Sequence, residues 1–355
     1  MTTYKESGVD IALGDSASKI AFSYAQTTFS TREKMIGKSS GQEGDFAGLL
    51  DFGYFFIAQC CDTVGTKIDL AEKMNNFSGL GSDLLAMVAD DAICLGAETV
   101  SLTNTFETKK VEIPKIDAMM RSLARACQKQ KIIISGGEIA EVGEKISGTS
   151  WGADAIGIVK KEKVINTKNI QSTDIVIALK ENGFRCNGFS LIRKILADNF
   201  QDNFHSWQKF AELALTPSIV FSKAILDLHG RFDEYPKVNL KGIAHITGGG
   251  IANNLRRILK KNNLGARLEN LFPPPFVMQE IQKIGKVQDQ EAYKTWNMGN
   301  GMLIITSQAE AEKAIKILKE NGITAQIAGN ITSNNKILIK SQGIFETGKI
   351  LEQGA

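Results

Sequence analysis

The chain predicts a two-domain protein of layered strands and helices, α/β (α+β) in class. Its 355 residues exceed what one hydrophobic core usually serves. Apolar runs of strand length alternate with segments of helical period in both halves. Several of those runs end in glycine-rich turns that open a helix. A polar segment at residues 160–173 separates the halves, which sets the domains at residues 1–165 and 166–355.

The first fifty residues are polar and glycine-rich with little periodicity, and residues 37–44 read as a mobile loop suited to closing over a nucleotide. A disordered arm without a role is the competing reading. Residues 54–58 form an apolar strand that breaks into the turn Asp62-Thr63-Val64-Gly65-Thr66-Lys67. Such a turn suits charged phosphate: glycine and threonine let backbone N–H groups and hydroxyls approach an anion, Lys67 offsets its charge, and Asp62 can hold a bridging divalent cation. It is not the Walker pattern, which needs GxxxxGK followed by Ser or Thr.

A helix begins near Ser82, and its period puts Leu84, Val88, Asp91 and Leu95 on one apolar stripe. A carboxylate there needs a cation, a metal or a dense hydrogen-bond network, unless the stripe is rotated and Asp91 half exposed. Asp83 and Asp90 fall on another face, as second metal ligands or as a solvated acidic flank.

Residues 100–105 follow as a strand, Pro114 opens a helix, and the strand at residues 132–134 ends in the turn Ser135-Gly136-Gly137-Glu138-Ile139-Ala140-Glu141. Residues 154–159 make the last strand of the first half. In the second half a strand at residues 175–179 leads through Asn187 and Gly188 to a helix at residues 190–196. Unpaired amides at that helix entrance can hold a phosphate or simply cap the helix. The design recurs where a strand containing His245 runs through Thr247 into Gly248, Gly249 and Gly250, ahead of a helix at residues 253–259. Three consecutive glycines carry a large entropic cost, which points to close backbone approach by a phosphate or ribose, or to tight strand–helix packing. His245 is a satisfied core histidine or a general acid/base. Beyond it come a strand at residues 302–305, a helix capped by Ser307 and running to Glu320, and strands at residues 325–328 and 336–340.

Composition excludes several function classes. With 42 basic and 39 acidic side chains there is no charge excess to drive nucleic-acid or membrane binding. The start MTTYKESGVD has no signal core or presequence character, no apolar run is long enough to cross a bilayer, and the expected location is the cytoplasm. Five cysteines without a CxxC pair read as buried reduced thiols. Three histidines without metal-ligand spacing argue against zinc, and no GxSxG elbow serves a serine hydrolase.

Seven motifs then stand in one order: YKESGVDI from Tyr4, DTVGTK from Asp62, GSDLLAMVADD from Gly81, SGGEIAE from Ser135, NGFSLIRK from Asn187, HITGGG from His245 and NMGNGM from Asn297. Together they make the chain resemble, nearly end to end, the phosphoribosylformylglycinamidine cyclo-ligase (AIR synthetase) family. The resemblance implies an N-terminal ATP-binding domain whose strands form a barrel across a homodimer, and a C-terminal α/β domain that completes the substrate site. It implies ATP-dependent, Mg2+-assisted ring closure of formylglycinamidine ribonucleotide to 5-aminoimidazole ribonucleotide. On the matching positions, Asp62 and Asp91 would handle metal, while Asp62, Thr63, Gly65, Thr66, Lys67 and Glu138 would meet the nucleotide. Asn187, Gly188, Thr247, Gly248, Gly249 and Gly250 would meet the ribonucleotide, with Asp91, His245 and Arg185 catalytic. The chain departs from the family's pattern at Ala21, Thr63, Asp90, Asn104, Ile139, Arg185 and Cys186. Arg185 can stabilise phosphoryl charge but cannot shuttle protons near neutral pH as the usual histidine can. Two alternatives go with the resemblance: an ATP-using enzyme related to selenophosphate synthetase or thiamine-monophosphate kinase, and a non-catalytic nucleotide-binding subunit.

Overall fold

Each half of the chain builds one sheet with its own helices; the computed structural model describes residues 3–41 and 46–353. The first half runs α1 (Ile11–Phe29), β1 (Lys38–Ser39), β2 (Gly48–Asp51), β3 (Phe55–Thr63), α2 (Lys67–Met74), α3 (Leu80–Ile93), β4 (Glu98–Thr108), α4 (Ile113–Gln130), β5 (Ile133–Glu141) and β6 (Thr149–Lys160). The second runs β7 (Ile175–Lys180), α5 (Phe189–Asn199), α6 (Phe204–Ala214), α7 (Ser222–His229), β8 (Gly242–His245), α8 (Gly250–Leu259), β9 (Gly265–Leu268), α9 (Phe276–Ile284) and α10 (Asp289–Thr295). It closes with β10 (Asn300–Thr306), α11 (Gln308–Glu320), β11 (Ala325–Thr332), β12 (Ile337–Lys340) and β13 (Ile350–Gln353).

The first sheet has the order β1-β2-β3-β6-β4-β5, antiparallel except for β4 and β5, which lie parallel because α4 carries the chain back between them. The second has the order β13-β12-β9-β11-β7-β10-β8, with β9 and β12 its parallel pair. Strand alternation gives the first sheet two unlike faces. Ala58, Cys60, Leu102, Phe106, Trp151, Ala153 and Ala155 are buried, while Gln59, Cys61, Thr103, Thr105 and Ile156 lie exposed on the other face.

Helix α3 packs on β3, β4, β6 and α4 and also reaches α7 and β8 of the second half. Covered on every side, it is apolar almost all round: Leu84, Leu85, Val88, Ala89, Ala92 and Ile93 have no exposure. This changes the reading of Asp83 and Asp90, which are wholly buried and not a solvated acidic flank.

Other expectations also shift. The arm contains α1, a nineteen-residue helix whose N-cap Asp10 accepts from the Leu13 N–H at 3.2 Å. Its described side chains are almost all exposed. Lys38 and Ser39 pair with β2 instead of looping, and residues 42–44 of the expected loop lie outside the described residues. Strand β3 extends through Thr63, so the turn is confined to residues 64–66. Residues 135–141 are not a turn, because β5 runs through them, bulged at Ser135 and paired with β4 from Gly136 to Glu141. Helix α8 starts at Gly250, three residues early. Helices α2, α6, α7, α9 and α10 and strands β9 and β13 went unforeseen. Among the described residues no helix is long and apolar enough to cross a membrane.

Candidate active site

The alternation of β3 places Asp62 on the side of Ala58 and Cys60, the side covered by α3, and the last turn of α3 carries Asp91. Burial pushes the Asp62 carboxyl up to about 6, with the Asp91 charge adding to the rise. Burial likewise pushes Asp91 up to about 7, outweighing the fields of Arg257 and Arg185. The Asp91 side chain keeps 17% exposure, so its carboxylate is reachable. Two neighbouring carboxylates, each held up by burial, fit a hard cation of the Mg2+ kind, which is typically held by one or two protein carboxylates plus substrate phosphates. Among the described residues no group of three or more His, Cys, Asp or Glu side chains comes together as a metal cage.

The turn after Asp62 is tied locally. The Thr63 N–H donates to Asp62 Oδ1 at 2.7 Å, and the Gly65 N–H donates to Thr63 Oγ1 at 3.1 Å. Gly65 takes φ +55, and a Cβ there would lie 3.5 Å from the Cys186 carbonyl oxygen of the second half. Thr66 Oγ1 stands 3.5 Å from Ser190 Oγ on α5. Lys67 is not offered to this turn. Its ammonium is wholly buried, 2.8 Å from Asp83 Oδ2 and donating to the Thr216 carbonyl at 2.8 Å, so its charge is neutralised within the fold.

Arg185 is likewise no phosphoryl clamp. Fully buried, it donates through Nη1 to Glu181 Oε2 at 3.0 Å and to the Ile219 carbonyl at 2.9 Å. Through Nη2 it meets Asp90 Oδ2 at 2.7 Å and His245 Nε2 at 2.8 Å. Asp90 Oδ1 accepts in turn from the Phe221 and Ser222 N–H groups at the start of α7. On the other side of the ring, His245 Nδ1 lies 2.7 Å from Asp91 Oδ1. Burial, with Arg185 adding, pushes His245 down to about 3, so the ring is neutral at physiological pH. Both ring nitrogens are engaged, which takes His245 out of the role of free acid or base.

The two glycine turns face each other. A Cβ on Gly248 would lie 3.6 Å from Asn187 Nδ2, and Asn187 Oδ1 is buried with no partner among the described residues. Gly248 is exposed. Its neighbours answer to packing instead. Gly249 and Gly250 take φ +87 and +68, a Cβ on Gly250 would fall 1.9 Å from the Tyr293 carbonyl oxygen, and one on Gly188 would meet the Trp296 indole at 2.5 Å. Thr247 is tied to Asn254, whose Nδ2 donates to the Thr247, Gly248 and Gly250 carbonyls.

Glu138 does not join this group within one protomer. Register puts it in one row with Thr105, Gly152 and Thr63, so it stands three strand spacings from the end of β3, about 14 Å.

Sequence reasoning missed Asn254, whose only signal was its place one turn beyond the glycines. It missed Arg257, whose field reaches Asp91. It missed the anchoring roles of Asp83, which accepts from Ser218, and Asp90. Tyr4 was quoted only as part of a motif, yet its N–H donates to Glu291 Oε1 at 2.9 Å and its phenol takes the Gly188 amide, so the N-terminal segment lies beside α5.

The chain matches the N-terminal domain of AIR synthase related proteins over residues 44–159 and their C-terminal domain over residues 171–340. It is 33% identical over 341 residues to the phosphoribosylformylglycinamidine cyclo-ligase of Methanococcus vannielii, covering 95% of this chain and 94% of that one. The Pyrococcus furiosus protein of the same name is 33% identical, with 97% and 99% covered. In fold the chain resembles E. coli HypE, a hydrogenase maturation protein, with TM-score 0.60 and 16% identity over 83% of this chain and 85% of that one. It resembles T. maritima PurL complexed with FGAR at TM-score 0.61 and 14% identity, over 88% of this chain and 47% of that one. The family match spans both halves, and the chain belongs to the phosphoribosylformylglycinamidine cyclo-ligase, or AIR synthetase, family.

Proposed function

We propose that this protein closes the imidazole ring of 5-aminoimidazole ribonucleotide in de novo purine biosynthesis, using ATP and formylglycinamidine ribonucleotide in the cytoplasm. The observation that carries the site is the pair Asp62 and Asp91, two largely buried carboxylates, each raised by burial and Asp62 further by the Asp91 charge, near the seam where α3 meets the second half. These two would hold Mg2+, which when bound would offset the charge of the phosphates. The residues 64–66 turn, beside α5, offers the Thr66 hydroxyl to the nucleotide. Asn187 and Gly248, neighbours in two turns of the second half with Asn187 Oδ1 unpaired among the described residues, would meet the ribonucleotide. In the reaction the formamide oxygen attacks the γ-phosphorus and ADP departs. The amidine nitrogen then attacks the activated carbon, phosphate leaves with that oxygen, and the nitrogen loses its proton. The open face of the first sheet, with Ile156 at 42% exposure, fits a homodimer that closes a barrel.

The direct test is conversion of formylglycinamidine ribonucleotide by the purified protein with Mg2+ and ATP. The expected result is one ADP and one phosphate per 5-aminoimidazole ribonucleotide formed. ATP use without that product would assign the site to another acceptor.

A further inference from the structure

We propose that Arg185 is a positioning residue for Asp91, acting through the His245 ring, which fixes the carboxylate before metal and nucleotide arrive. The proposal rests on the reading of Asp91 as the Mg2+ and nucleotide carboxylate.

A guanidinium has donors only, so with Nη2 2.8 Å from His245 Nε2 that nitrogen must present its lone pair. The ring's one proton is then on Nδ1, where it donates to Asp91 Oδ1 at 2.7 Å. Arg185 itself has no room to swing. Asp90, Glu181 and the Ile219 carbonyl hold its fork, and its backbone sits at φ +58, a conformation an arginine keeps only when its surroundings over-determine it. The chain of contacts runs from the turn between β7 and α5 through the last residue of β8 to the last turn of α3 and so spans both halves. Each link is directional, and reversing the ring's proton would break two of them at once.

The molecule supplies its own control. His229 is also buried, but its Nε2 lies 2.8 Å from the Lys163 carbonyl oxygen, which only accepts, so its proton is on Nε2. The two buried rings therefore carry opposite tautomers. With three histidines in the whole chain, ring-nitrogen spectra of 15N-histidine-labelled full-length protein can separate them.

The expected wild-type spectrum shows a neutral Nδ1–H ring for His245 and an Nε2–H ring for His229. Arg185→Lys keeps a cation near Asp90 and Glu181 but lacks the fork that reaches the ring. In this variant the His245 proton should no longer be confined to Nδ1, with the His229 pattern unchanged. The Mg2+ concentration for half-maximal turnover should rise about 10-fold or more, while KM for formylglycinamidine ribonucleotide stays within about 2-fold. Should Arg185→Lys fail to fold, two His245 variants give the same answer. His245→Asn sets an amide N–H where Nδ1–H stands and His245→Gln does not, so the Asn variant should need less Mg2+. An Nε2–H ring at His245 in the wild type, or an Arg185→Lys spectrum unchanged at His245, overturns the relay, as does a Gln variant that matches Asn. A redistributed tautomer with an unchanged Mg2+ requirement overturns the Asp91 reading instead, and with it the positioning role.

Discussion

Asp90 and Asp91 are neighbours on one helix with opposite assignments, and single substitutions separate them. The Asp91 carboxylate bonds the His245 ring, and an amide oxygen at the same position still accepts that bond. Asp91→Asn should therefore leave the ligand-free thermal midpoint within a few degrees of wild type, a change of roughly 1 kcal/mol or less. Its kcat/KM should fall at least ~100-fold, the scale of losing one charge-stabilising group. Asp90→Asn should do the reverse in a melt. It strips the charge opposite a fully buried Arg185, and breaking such a pair costs roughly 3 kcal/mol or more. Thermal midpoints and turnover measured on both variants decide the matter, and a stable, active Asp90→Asn would remove the ion pair from the account of stability.

At the scale of elements, the turn between β8 and α8 holds one glycine left open and two fixed by packing. Gly250→Ala would put a methyl 1.9 Å from the Tyr293 carbonyl oxygen of α10, on a backbone at φ +68. That contact has no flexible partner to yield, so the variant should lose roughly 2 kcal/mol or more in urea unfolding. Gly248→Ala meets nothing closer than ordinary contact with Asn187 and should unfold like wild type, within about 0.5 kcal/mol. If the ribonucleotide lies against this turn, Gly248→Ala should raise its KM by roughly 10-fold. An unchanged KM would take the turn out of the substrate site.

For the whole molecule, stability is tied to pH where the halves are fastened together. His229, at the end of α7, bonds the Lys163 carbonyl between the two sheets and closes on Gly96, and burial holds it down at about 4 against an ordinary value of 6.5. The unfolded chain therefore binds a proton that the folded chain refuses between these values. The stabilising contribution is complete above pH 6.5, falls as the pH drops toward 4, and is fully lost below it. Its size is on the order of 3 kcal/mol. His229→Gln keeps an N–H for the Lys163 carbonyl and does not titrate. Thermal midpoints of the two proteins should thus converge as the pH falls from 6.5 to 4, the wild type losing more. Parallel curves would place this sensitivity elsewhere.

Local pattern by itself determined a great deal. Apolar runs and glycine turns marked both halves and most of the strands that build the seam, and the ordered motifs pointed to the family. The carboxylate in the α3 stripe marked Asp91 as a buried group needing a partner. These signals are legible because period, turn chemistry and motif spacing are properties of neighbouring residues. Tertiary structure alone decided which charges are spent inside the fold. Lys67 finds Asp83 on another helix and the Thr216 carbonyl in the other half, so a lysine beside a glycine turn is not there for phosphate. Asp90 and Arg185, two of the departures from the family's pattern, are the halves of one ion pair 2.7 Å long, and neither explains the other until α3 is packed against the second half. Glu138 followed a glycine pair as Asp62 precedes a glycine turn, yet sheet order sets it about 14 Å aside. Long-range pairing depends on which surfaces the chain brings together, and no window of local sequence contains that information.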